Sequence, residues 1–207
     1  MKAPDRDYRP VQHTRAAFLE KHAITTADTT LVDLTYDGDD YRRYRTVKDH
    51  DKGSGMIRPG THPTDALVTT DPGHALFLPL ADCIGAVLYD PTKSVLMLSH
   101  LGRHNLEQHG GTHSVDYLVT RHTVNPSDLE VWLSPAAGKE HYPLFAFEHK
   151  SLHDVALSQL RAAGVPSGNI TVSPINSAAN PDYFSHSQFL KGNQETDGRF
   201  AVVALFS

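Results

Sequence analysis

The segment from Ala75 to His104, ALFLPLADCIGAVLYDPTKSVLMLSHLGRH, constrains this chain more than any other. It holds two apolar runs, IGAVLYD and SVLMLSH, separated by Asp90-Pro91-Thr92-Lys93. Pro at the second turn position presets φ, and Asp at the first can accept from its own downstream backbone, so a β-hairpin is expected. Setting Tyr89 opposite Ser94 pairs Leu88 with Val95 and, further out, Cys83 with His100. Directly opposed residues carry β-carbons about 4.5–5.5 Å apart on one face of the sheet. A thiolate and an imidazole at that separation can share a metal ion or a proton. One bulge would shift the register.

Cys83 is also the chain's one cysteine, which excludes an internal disulfide and points to a reducing compartment. The opening MKAPDRDYRP has no apolar centre and does not read as a signal peptide. No run approaches the roughly 20 apolar residues of a membrane span, so a soluble, cytoplasmic chain is expected. At 207 residues and 39% hydrophobic, with eight Phe and eight Tyr, residues 1–207 fit one domain with a sizeable core. The net charge of -5 and the pI near 6.2 set no prior for nucleic acid. The one basic run, Tyr41-Arg42-Arg43-Tyr44-Arg45, reads as a solvated strand or loop face. Fourteen histidines make any single one uninformative until geometry brings it to a second group.

Around the hairpin, Thr14–His22 predicts a short helix capped by Thr14, and Thr30–Thr35 a half-buried strand. Tyr36–Asp40 is a turn or site loop, and Tyr41–Val47 the returning strand. Asp49–Pro63, rich in Gly, Pro and charge, is expected to be the least structured part. Asp65–Thr70 predicts a strand closed by Asp71-Pro72-Gly73. Leu101–Asn105 is read as a loop, His113–His122 as a helix and Leu129–Leu133 as a strand. Leu152–Ala163 predicts a helix ending at Gly164. Asn169–Ser173 and Arg199–Phe206 are strands, and Asn176–Gln194 is irregular. Strands outnumber helices and no Gly-rich phosphate fingerprint follows any of them, which favours a mixed, layered α/β domain over a doubly wound nucleotide fold.

The order TDALVTTDPG, PLADC, AVLYDP, SHLGRH resembles the laccase-domain group, once called multi-copper polyphenol oxidoreductases and now regarded as YfiH-like purine nucleoside phosphorylases. That group reads ADALVT, TADC, a strand, DP, a strand and HAGWRG. The tail, LSQLRAAGVPSGNITVS with NPDYFSHSQF and TDGRFAVVALF, is similar to its last helix and its FFS…TGR ending. The likeness runs from about Thr14 to the C-terminus. It implies a mixed α+β, YfiH-like (cytotoxic-necrotizing-factor-like) fold, with mixed β-sheets flanked by helices.

The resemblance also implies a zinc-type site of two histidines and a cysteine, with copper as the alternative metal, and inorganic phosphate as co-substrate. Cys83 and His100 match two of those ligands. The first-ligand motif, QVHG, falls on Thr35-Tyr36-Asp37-Gly38, which puts Asp37 at the histidine position. His50 could substitute from the next loop, and His62 is a weaker option. Asp82 is placed to orient the neighbouring loop or a ligand imidazole. Arg103, His104, Ser185 and Arg199 become substrate contacts if their loops converge on Cys83. His104 stands where the group has arginine, and the arginines after FFS are absent, so phosphate binding has lost some of its expected donors.

The leading expectation is an enzyme that processes purine nucleosides, by phosphorolysis of adenosine or inosine, with adenosine deamination as a further activity that the resemblance implies. Its partner is then a small-molecule nucleoside, with no nucleic acid or membrane, in a monomer or homodimer. A second expectation is a degenerate, non-catalytic member that binds metal, nucleoside or a protein partner. A copper-dependent polyphenol oxidase is third.

Overall fold

The computed structural model describes residues 9–60 and 62–207. The opening MKAPDRDY and Thr61 lie outside them, so the signal-peptide reading falls outside the described residues. Nine strands build two sheets among the described residues. The smaller takes β1 (Thr29–Leu31), β4 (Ala75–Leu80) and β9 (Phe200–Ala204) in the order β1-β4-β9. The larger takes β2 (Tyr44–Thr46), β3 (Ala66–Thr69), β5 (Ile84–Asp90), β6 (Val95–Leu101), β7 (Glu130–Leu133) and β8 (Ile170–Val172) in the order β2-β3-β6-β5-β7-β8. Both are mixed: β1–β4, β2–β3 and β7–β8 pair parallel, and the remaining pairs are antiparallel. No helix among the described residues is long and apolar enough to cross a membrane.

Alternation along the strands sorts the core into layers. Ile84, Ala86, Leu88, Val95, Met97 and Leu101 face α3 (Gly110–His122) and α4 (Leu152–Ala162), meeting Val115, Leu118, Val155 and Leu160. Their neighbours Leu96 and Leu98 face the other way, against Leu76, Leu78, Leu80 and Val202 of the smaller sheet. The outer face of that sheet is covered by α1 (Arg9–Glu20), where Leu19 packs on Leu31 and Phe77. This is why every residue of β6 is buried. The expected layered architecture of mixed sheets flanked by helices is therefore what the chain adopts.

The hairpin forms, in a register two residues from the one expected. Asp90 pairs with Val95, Tyr89 with Leu96 and Gly85 with His100. The turn takes four residues because the Asp90 carboxylate accepts from Thr92 N at 2.8 Å and Lys93 N at 3.0 Å, and Ser94 closes it at φ 52°. Cys83 is therefore not directly opposite His100. A shift of two preserves the face, so both still point into the space between the sheets.

Several local expectations also change. α1 begins at Arg9, with Pro10 in its first turn, and Thr14 lies mid-helix, donating to Pro10 O at 2.8 Å rather than capping. β4 went unread because it contains Pro79, which sits beyond the last β1 pairing at Phe77, where no neighbour on that side asks for its missing N–H. The described part of the 49–63 segment before Thr61 is folded: Asp51 takes bonds from Lys48 N and the Arg45 guanidinium, and Met56 packs into the core under α1. The 101–105 loop is instead the start of a helix, α2 (Arg103–Glu107), with Gly102 at its N-cap. A second short helix, α5 (His186–Leu190), interrupts the segment expected to be irregular.

Candidate active site

A cavity of about 370 Å³ opens at the C-terminal ends of β1, β4 and β6. Cys83 enters it from the β4–β5 turn and His100 from the end of β6. Gly102 lies between them: a methyl group there would stand 2.8 Å from Cys83 Sγ and 3.0 Å from His100 Nε2. Sulfur and imidazole thus flank one point, although they are not directly opposed in register.

Neither group is charged near neutrality. Burial pushes the Cys83 thiol up to about 12, the Asp82 carboxylate adds to it, and the Arg103 backbone N–H opposes it. Burial likewise lowers His100 to about 4, against the pull of Asp65 and a hydrogen bond with the Asn105 side chain. Asn105 is itself fixed, accepting from Gly102 N at 3.2 Å and donating to Tyr41 O at 2.8 Å and Asp65 Oδ1 at 3.3 Å. Asp65 in turn is paired with Arg43 at 2.8 Å. Arg43, expected on a solvated face, is the outer anchor of this buried chain.

Arg103, His104 and Arg199 all line the cavity, so their loops do converge on Cys83. Arg103 opens α2, and its Nη2 lies 3.2 Å from His104 Nε2. Arg199 precedes β9 and donates to Asp197 Oδ1 at 2.6 Å, the same oxygen that lies 3.0 Å from His186 Nδ1. Four lining residues had no signal in the reading of the hairpin: Arg15 on α1, Tyr36, Tyr142 and His186. The Tyr142 phenol is pushed up by burial and then by Cys83, and is hydrogen-bonded by Arg103. Tyr36, 56% exposed, stands at the cavity mouth.

Three proposed site residues, Asp37, His50 and Ser185, stand outside the cavity, and a fourth, Asp82, is at its edge with its carboxylate engaged elsewhere. Asp37 is exposed in a local turn, its N–H donating to Thr35 Oγ1 at 3.2 Å and its carboxylate accepting from the same hydroxyl at 3.1 Å. It is Tyr36, one residue earlier, that lines the cavity. His50 is exposed beside Asp51, at 3.5 Å, and does not line the cavity. Asp82 borders the cavity, but its carboxylate accepts from the Ser185 hydroxyl and from Ser187 N at 2.7 Å. It braces the β4–β5 turn against α5 and does not reach the imidazole. Ser185 is spent on the same contact, buried at 1% exposure and N-capping α5.

The donor set can now be tested against a metal. A catalytic zinc centre takes three protein ligands and leaves a fourth position open. Cys83 and His100 supply two, and among the described residues no group of three His, Cys, Asp or Glu could hold an ion. The residues present do not complete such a centre.

Comparison with known proteins agrees with this fold. A family model described as multi-copper polyphenol oxidoreductase laccase matches residues 6–150. A purine nucleoside phosphorylase, YlmD of Bacillus subtilis (strain 168), is 29% identical over 91 residues, which is 44% of this chain and 33% of the relative. The aligned part is thus about a third of that relative's length. The crystal structure of the Bacillus licheniformis hypothetical protein YfiH superposes with a TM-score of 0.85 at 24% identity, over 95% of this chain and 81% of the other. YlmD from Geobacillus stearothermophilus superposes at 0.83 with 23% identity, over 95% and 80%.

Proposed function

The chain belongs to the multi-copper polyphenol oxidoreductase laccase family, and from that premise we propose that its cavity binds a purine nucleoside with inorganic phosphate and carries out phosphorolysis. The observation that carries the proposal is the convergence of Arg103 and Arg199 with Cys83 and His100 on one cavity of about 370 Å³. That volume lies in the range of small-molecule sites. Leu31, Val32, Leu34 and Leu80 give one part of its wall an apolar surface for a sugar or base. The two guanidinium groups supply the planar, multi-donor contacts that a phosphate dianion favours.

In the reaction, a phosphate oxygen forms a bond to the ribose anomeric carbon as the glycosidic C–N bond breaks. The electron pair of that bond leaves with the purine, which takes up a proton. Arg103 and Arg199 hold the phosphate and offset its charge. The phenols of Tyr36 and Tyr142, both lining the cavity and protonated at neutral pH, are hydrogen-bond donors and are the groups suited to the departing base. His100, neutral and oriented by Asn105, offers a ring nitrogen to a substrate hydroxyl. No step is assigned to a metal. Adenosine deamination and copper-dependent oxidation both need a complete metal centre, so the two-donor set weighs against them.

A second reading, a binding protein without turnover, is favoured by Arg199, whose guanidinium is already engaged by Asp197 and the Gly198 carbonyl. Incubating purified protein with adenosine or inosine, with and without phosphate, and following the released base by chromatography separates the two. Phosphate-dependent release that is lost in Cys83→Ala and His100→Ala supports phosphorolysis. No release above those variants supports binding alone.

A further inference from the structure

His104 is the last layer of a built stack. The Arg43 guanidinium, held by Asp65 at 2.8 Å, lies 5.8 Å over the Tyr41 ring. Tyr41 in turn lies against the His104 imidazole, ring centres 4.6 Å apart and planes 14° from parallel. The backbone of Tyr41 is clamped on both sides, its N–H donating to Gln108 Oε1 at 3.1 Å and its carbonyl accepting from Asn105 Nδ2 at 2.8 Å. His104 lines the cavity and Tyr41 does not, so part of the imidazole that Tyr41 leaves uncovered borders the cavity. Tyr36 stands at the same mouth, tilted 59° to His104 with centres 6.5 Å apart.

We propose that His104 is the stacking platform for the planar heteroaromatic ring of the ligand, with Tyr36 as the wall that meets the ring's edge. A ring laid on the open imidazole face continues the Arg43–Tyr41–His104 stack by one layer, at the offset, near-parallel geometry that aromatic pairs prefer. The lower layers are locked by the buried Asp65 and Asn105 contacts, so the platform is ordered before the ligand arrives and little is lost in fixing it. His104 is a specificity residue on this account, and takes no part in bond making. The identity of the ring as a purine rests on the nucleoside reading above, whereas the platform itself is tested by binding without turnover.

The test measures binding of adenosine, inosine and the free purine bases by calorimetry or ligand-observed NMR, with inorganic phosphate titrated separately. Wild type, His104→Ala and His104→Phe are compared after melting curves establish that each is folded. His104→Ala is expected to weaken ring binding roughly tenfold or more, the scale of base stacking on a protein ring. His104→Phe is expected to restore it to within a few-fold, whereas phosphate affinity, which feels the loss of the His104 contact to Arg103, is expected to shift by the same small factor in both. Unchanged ring binding in His104→Ala overturns the platform, as does a loss in His104→Phe equal to that in His104→Ala. A wild-type chain that binds no purine ring overturns it together with the nucleoside reading. A wild-type chain that binds the ring through His104 without releasing base overturns phosphorolysis alone.

Discussion

The Asp82 carboxylate accepts the Ser185 hydroxyl across 103 residues of chain, and in doing so fastens the turn that carries Cys83 to the helix that carries His186. Asp82 also takes φ 78°, a left-handed conformation that Asp and Asn tolerate better than other residues with a side chain. The same carboxylate accepts from Ser187 N at 2.7 Å, and the group is 2% exposed. Asp82→Ala removes the acceptor of one buried and one part-buried donor and strains the backbone, so a loss of about 2–3 kcal/mol is expected. Asp82→Asn keeps an acceptor oxygen and the tolerance for positive φ, and should lose less. Urea denaturation of both variants checks the order, and an Asn variant as unstable as the Ala one would contradict it.

Gly102 is the contact point between the two lead residues. A Cβ there would lie 2.8 Å from Cys83 Sγ and 2.9 Å from His100 Cε1, closer than real contacts allow. The backbone at Gly102 (φ -91°) would accept alanine without strain, so the effect is steric alone. Gly102→Ala is expected to push sulfur and imidazole apart, at a cost of about 1–3 kcal/mol in stability. Ligand binding should fall by far more than that in comparison with Gly168→Ala, where an added Cβ meets nothing. Equal binding by the two variants would remove the Cys83–His100 gap from the site.

How much of this was legible beforehand depended on how local each signal was. The strands of the hairpin are continuous apolar runs, and both the pairing and the shared face of Cys83 and His100 followed from them. The register did not, because Asp90 stays in its strand and caps the turn with its side chain, which moves the four-residue turn one place along, to Pro91–Ser94. The face survived since side chains repeat every second residue along a strand. Asp37 failed for the complementary reason. It lies one residue from Tyr36, and neighbours in extended chain point opposite ways, so a motif match good to one place selects the wrong side chain. Arg15 and Tyr142 reach the cavity from α1 and from the segment after β7, by packing between elements far apart in sequence. No short-range pattern encodes that approach.

The buried pair sets the pH limits of stability. His100 keeps its proton off down to about 4 in the folded chain, whereas the unfolded chain protonates it near 6.5. Its contribution is therefore complete above 6.5 and is lost as pH falls to about 4, by about 3 kcal/mol in all. The Cys83 thiol has the opposite sign, ionising near 9.0 when unfolded and near 12 when folded. Its contribution is complete below 9.0 and is lost as pH rises toward 12. His74 and His153 are also lowered, mainly by burial, so they share the acid limb. Denaturant curves from pH 4 to pH 10.5 should show His100→Gln making only the acid limb shallower and Cys83→Ala only the alkaline limb. A wild-type acid slope retained in His100→Gln would assign that limb to the other histidines.

Zinc affinity distinguishes a two-donor site from one completed by a movement of the loop that carries Asp37. Cys83 and His100 present one sulfur and one nitrogen, while Asp37 is held in its Thr35 turn and His50 stands in the open. Binding to two protein ligands requires the thiol to lose a proton that burial holds strongly, which weakens the site further. Dialysis against a chelator is therefore expected to strip any zinc and to leave the melting temperature within about 2 °C, less than 1 kcal/mol for a chain of this size. Cys83→Ala and His100→Ala should abolish what affinity there is, and Asp37→Ala and His50→Ala should leave it within about twofold. Competition with a zinc-sensitive dye reads all four. One zinc per chain that resists the chelator and is lost in Asp37→Ala would mean that the 35–40 loop closes over the cavity and brings the carboxylate to the metal, with Tyr36 turned out in exchange.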